Sequence, residues 1–83
     1  MKKKIYVLTF VDLVNCGYQT KRVYVFNDKE DAISHMTNCY LEMCKEEEIT
    51  EPYNAGLDNQ ITDDFAFIYE KYYWDIFEET ISV

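Results

Sequence analysis

The 83-residue chain has room for one domain, and its 48% hydrophobic and 17% aromatic content is enough to bury a core. Intrinsic disorder is therefore excluded despite a net charge of −8. Residues 1–26 hold five bases against one acid, whereas residues 27–83 hold three bases against fifteen acids. So acidic a surface disfavours direct contact with nucleic acid or an anionic membrane and steers the chain towards basic protein patches.

Residues 4–11 (KIYVLTFV) are dense in β-branched and aromatic residues and predict a first strand. With Lys2, Lys3 and Lys4 ahead of it, this stretch resembles the start of an export signal, and residues 13–16 (LVNC) resemble a lipoprotein cleavage box. Asp12 interrupts the apolar run, however, and Asn15 stands where such a box requires a small residue. The segment is read as a strand and the chain as cytoplasmic. No apolar run approaches the ~18 residues of a membrane span. Ile5, Val7 and Val11 alternate with Tyr6, Leu8 and Phe10, which predicts a central strand or one covered on both faces.

Residues 12–18, with Asn15 and Gly17, have turn chemistry. A second strand follows at residues 20–26, and the short connection predicts an antiparallel hairpin. Residues 28–47 carry Ala32, Ile33, Met36, Cys39, Tyr40, Met43 and Cys44 at steps of three and four, the spacing of one helical stripe. Asn27 and Asp28 are both suitable N-caps, and Asn27 with Glu30 has the spacing of a capping box. Glu46, Glu47 and Glu48 crowd the far end, where the helix dipole disfavours acids, so this end is expected to fray ahead of Pro52.

Residues 48–64 read as a long loop. Residues 65–69 and 72–81 then predict a hairpin turning near Glu70 and Lys71, with a helix over 63–79 as the alternative. The expected fold is α+β: a small antiparallel sheet with one helix on one face, in the order ββαββ, the alternative being ββαα. One helix leaves the opposite sheet face without a cover, which implies a homodimer or a partner surface there.

The order IYVLTF, VYVF, a helix opened by Asp28-Lys29-Glu30-Asp31-Ala32, and a late YYWDIFEETI resembles a loose group of small ββαββ-type domains. That group occurs in bacteria, bacteriophages and mobile elements. The resemblance spans most of the chain except residues 46–64 and implies such an origin, but it brings no activity, cofactor or site residue.

Residues able to carry chemistry are few. His35 is the only histidine, so any Ser-His-Asp or Cys-His arrangement must use it, and Cys39, one helical turn away, is within reach as its partner. His35, Cys39, Cys44 and Cys16 supply four potential metal ligands without a C-x-x-C spacing. The odd number of cysteines argues against a closed disulfide framework. No catalytic residue, metal or cofactor is assigned on these patterns. Glu46, Glu47, Glu48 and Glu51 form a dense acidic patch, and Tyr72 and Trp74 head an aromatic cluster. Tyr and Trp are enriched at protein interfaces. The functional expectation is a non-enzymatic interaction domain that binds a host protein with a basic surface through these six residues. The alternatives are a small enzyme or metal-dependent hydrolase built on His35, and a structural oligomeric accessory protein.

Overall fold

The computed structural model describes residues 1–13, 20–53, 56 and 58–83. It contains β1 (Lys2–Asp12), β2 (Thr20–Phe26), α1 (Lys29–Glu46), β3 (Asn59–Ile61), β4 (Phe65–Ile68) and β5 (Tyr72–Ser82). The strands form one antiparallel sheet in the order β2-β1-β5-β4-β3, with α1 against one face. The α+β class with one helix on one face therefore holds, and the expected order gains a short strand, β3, inside the stretch read as a loop. Residues 65–82 are a hairpin and not a helix: β4 pairs β5 from Phe65↔Asp75 to Ile68↔Tyr72. The turn predicted at residues 12–18 falls mostly on 14–19, outside the described residues.

Why one face is chosen follows from strand phase. Leu8 of β1, Ala66 and Ile68 of β4, and Tyr72, Trp74 and Ile76 of β5 all point towards the helix and are buried. α1 meets them with Ala32, Met36, Tyr40 and Cys44, one residue per turn, flanked by half-buried Ile33, Cys39 and Met43. Trp74 is the aromatic centre: Phe10 lies 5.0 Å from it, and Tyr40 meets it edge-on at 6.0 Å. Alanine opposite Trp74, at Ala66, leaves the space that a second large side chain in the same row would fill.

The helix ends differ from expectation. Asp28 is the N-cap in extended conformation, but no side-chain hydrogen bond caps the helix, so the capping box is not made. Lys29, at this end, pairs on the surface with Asp64 at 3.0 Å, a hydrogen bond that raises its pKa. At the far end Glu48 adopts φ 59°, its N–H reaches the Lys45 carbonyl, and the Ile49 N–H donates to the Cys44 carbonyl at 2.8 Å. These two bonds are a Schellman motif, with Ile49 packed against the core behind it. In place of the expected fraying, the helix closes, because its last carbonyls find partners and Ile49 finds apolar cover.

β3 is held by both backbone and side chain. The Thr62 hydroxyl accepts from the Asp64 and Phe65 N–H groups, and the Thr62 N–H donates to the Phe65 carbonyl at 2.8 Å, which closes a tight turn into β4. Asn59, the buried polar residue of β3, donates from Nδ2 to the Tyr40 hydroxyl at 2.9 Å. That hydroxyl donates in turn to the Pro52 carbonyl. A buried amide of this kind stays in place because each of its contacts has a partner.

Candidate functional site

The acidic patch predicted on Glu46, Glu47, Glu48 and Glu51 is partly drawn together by the end of α1. Glu47 is half-buried and pairs with Lys71 at 3.3 Å. Glu46 and Glu48 are exposed, and Glu51 uses its backbone carbonyl to accept from Asn59. Of these acids, Glu47 and Glu46 act on the hydroxyl of Tyr72. Burial first, then the charges of Glu47, Asp12 and Glu46, push its pKa up.

Tyr72 and Trp74 are not the aromatic surface that the sequence suggested. Their relative exposures are 8% and 2%, because both lie on the face that α1 covers. Within the sheet, the most exposed apolar side chains lie on the opposite face. Val23 and Val25 of β2 are 63% and 61% exposed, and Phe77 of β5 is 50% exposed. Strand register joins these into rows: Val25, Val7 and Phe77 in one, and Val23, Thr9, Asp75 and Phe65 in the next. A third row holds Val11, Tyr73 and Phe67, with Lys21 at its end. Among the described residues no element packs on this face. An uncovered sheet face that is mostly apolar, with Asp75 in its middle row, is a common mark of a protein contact. The alternation that identifies this face is visible in the sequence, but both phases of β1 and β5 are apolar, so periodicity alone does not say which set the helix takes.

On the helix side, a cleft of about 210 Å³ lies between α1 and the β1–β2 pair. Phe10 and Trp74 border it below, Arg22 and Tyr24 at the β2 edge, and His35 and Cys39 along the helix. The His35 ring sits 4.5 Å from Tyr24 and 5.6 Å from Phe26, and its Nε2 is buried without a hydrogen-bond partner. His35 and Cys39 thus border one cleft, as their spacing predicted. The Cys39 thiol is pushed up by burial and by Glu42, against a smaller opposing effect of Arg22. That direction disfavours the thiolate a nucleophile requires. Burial raises Cys44 as well. Among the described residues no three His, Cys, Asp or Glu side chains converge as a metal site, and Cys16 lies outside them. No described helix is long and apolar enough to cross a membrane.

No protein-family model, curated protein or solved structure matches this chain.

Proposed function

We propose that the chain is a non-enzymatic, acidic protein-interaction domain that docks a host protein on the face of its sheet opposite α1. The observation that supports this most is the uncovered apolar face itself, with Val23, Val25 and Phe77 at least half exposed. Leaving such side chains in water costs burial free energy on the order of 25 cal/mol per Å², which a docked partner recovers. Asp75 lies within the face, between Thr9 and Phe65, and its carboxylate selects a partner that brings a basic group to meet it. The net charge of −8 and the acids at the end of α1 add long-range attraction to a basic protein. The same charge disfavours pressing two of these faces together, since Asp75 would then approach its own copy. A cytoplasmic setting and a phage or mobile-element origin complete the reading and rest on the sequence pattern alone.

Affinity capture with the wild-type chain and with the double variant Val23→Lys/Phe77→Lys tests the proposal. A protein of basic surface retained in near-stoichiometric amount by the wild type, and lost with the variant at unchanged circular dichroism, is the expected result. Identical proteins recovered with both would remove the sheet face from consideration.

A further inference from the structure

β1 and β5 run past their neighbours in the sheet. β2 pairs β1 only from Tyr6 onwards, and β4 reaches along β5 only to Asp75, with a last bond from the Ile76 N–H to the Asp64 carbonyl. Residues 2–5 and 79–82 therefore pair with each other alone, from Lys2↔Ser82 to Ile5↔Glu79. The result is a two-stranded ribbon that lengthens the molecule to 46 Å in a body 30 by 18 Å across. An isolated two-stranded ribbon is marginal in water, so further pairing would stabilise it.

The direction of the free backbone groups follows from two bonds. The Val83 N–H donates to the Met1 carbonyl, so the odd-numbered residues of β5 face β1, and the Ile76 N–H faces the other side. In an antiparallel ladder both groups of a residue point the same way. Glu78, Thr80 and Ser82 therefore present their N–H and C=O groups at the outer edge of β5, where no described strand pairs. The two outer edges of the ribbon differ. On β1 the outward positions are Lys2 and Lys4, and edge lysines oppose strand addition. The β5 edge ends in Thr80, Ile81 and Ser82, which have no charge.

We propose that the β5 edge pairs antiparallel with the same edge of a second copy, about a twofold axis through Thr80. This register sets Thr80 against Thr80 and Glu78 against Ser82. Glu79 falls opposite Ile81, so no acid faces its own copy. It also sets Phe77 opposite Val83, which are 50% and 67% exposed in the single chain. Up to about six main-chain hydrogen bonds form, two for each directly opposed pair. The ribbon is also where the charge is balanced: Lys2, Lys3 and Lys4 stand against Glu78 and Glu79, while the acids are concentrated elsewhere. Lys4 already pairs with Glu78 at 3.7 Å. An antiparallel pairing of a β5 edge with a β1 edge is blocked, because β2 of the second copy would run into the position of β5. Pairing about an axis normal to the sheet leaves both helices on one side. Both uncovered faces then lie side by side on the other, whatever those faces bind.

The test is the mass of the intact chain by light scattering and sedimentation from low to high micromolar concentration, the range expected of a small interface. The wild type is expected to rise from 10.0 kDa towards twice that value. Thr80→Lys, which sets two cations together on the axis, and Thr80→Pro, which removes an outward-facing N–H that the ribbon itself does not use, should both stay monomeric with unchanged circular dichroism. Val23→Lys, remote from the ribbon, should still dimerise. In a background with the three native cysteines replaced by serine, Thr80→Cys should cross-link under mild oxidant far faster than Lys4→Cys. A wild type that stays monomeric throughout, a dimer that survives Thr80→Lys, or one abolished by Val23→Lys alone would overturn the proposal.

Discussion

The Tyr40 hydroxyl accepts from Asn59 Nδ2 at 2.9 Å and donates to the Pro52 carbonyl, joining α1, the segment after it and the edge strand β3 at one buried point. Asn59 Nδ2 also lies 3.3 Å from the carbonyls of Glu51 and Pro52. Tyr40→Phe keeps the ring against Trp74 but leaves the carbonyl and the amide short of a partner. A loss of about 1–2 kcal/mol is expected, a fall of roughly 4–8 °C in Tm for each kcal/mol at this size. Thermal unfolding checks it, and an unchanged Tm would mean that the cluster is hydrated.

The same hydroxyl sets an alkaline limit. Burial pushes the Tyr40 pKa up from 10.0 to about 12, so the folded state favours the neutral phenol. Because the native value lies above the unfolded one, this contribution is complete below pH 10 and is lost as the pH rises through about 12. Urea midpoints measured from pH 9 to pH 12 should fall less steeply for Tyr40→Phe than for the wild type.

Trp74 and Phe77 separate the two faces of one strand. Trp74→Ala opens a cavity between Phe10 and Tyr40 and is expected to cost about 3–5 kcal/mol, enough to unfold a domain of marginal stability. Phe77→Ala removes a half-exposed ring and should change stability by no more than about 1 kcal/mol. Denaturant unfolding of the pair decides. Equal losses would place Phe77 in a packed environment and contradict the open face.

The helix stripe was readable because its apolar residues recur at one period and have no competing interpretation. The β4–β5 hairpin was readable from β-branched and aromatic density. The phase of β5 was not, since Tyr72, Trp74 and Ile76 alternate with Tyr73 and Phe77, and only the position of α1 separates them. β3 escaped detection because Asn59-Gln60-Ile61 has no alternation, and its buried member is an amide whose partner, Tyr40, is distant in sequence. The helix terminus misled for a related reason. Glu48 looks like one more repelling acid, whereas its backbone occupies the left-handed position where glycine is usual.

That position gives a stabilising substitution. A non-glycine residue at φ 59° bears a steric cost of roughly 1–2 kcal/mol, and Glu48 adds negative charge at the negative end of the dipole. Glu48→Gly relieves both while keeping the bonds to the Lys45 and Cys44 carbonyls. A gain of about 1 kcal/mol, after the entropy cost of the added glycine in the unfolded chain, should appear as a higher urea midpoint with an unchanged slope. A lower midpoint would show that the Glu48 side chain makes a compensating contact.

The two helix cysteines provide a direct check on the cleft beside His35. Burial raises both thiols, Glu42 raises Cys39 further, and Cys44 is only 2% exposed. In a Cys16→Ser background, an uncharged thiol reagent at neutral pH should modify Cys39 more slowly than free cysteine. Cys44 should react only as the chain opens, so its rate should rise with urea in step with unfolding. Replacing Glu42 with Gln removes one of the two causes that hold the Cys39 thiol up and should quicken its reaction without altering that of Cys44. If Cys39 instead outpaced free cysteine in the native chain, its thiolate would be stabilised by the cleft. The histidine–cysteine pair would then return as a candidate nucleophile, and the non-enzymatic reading would fail.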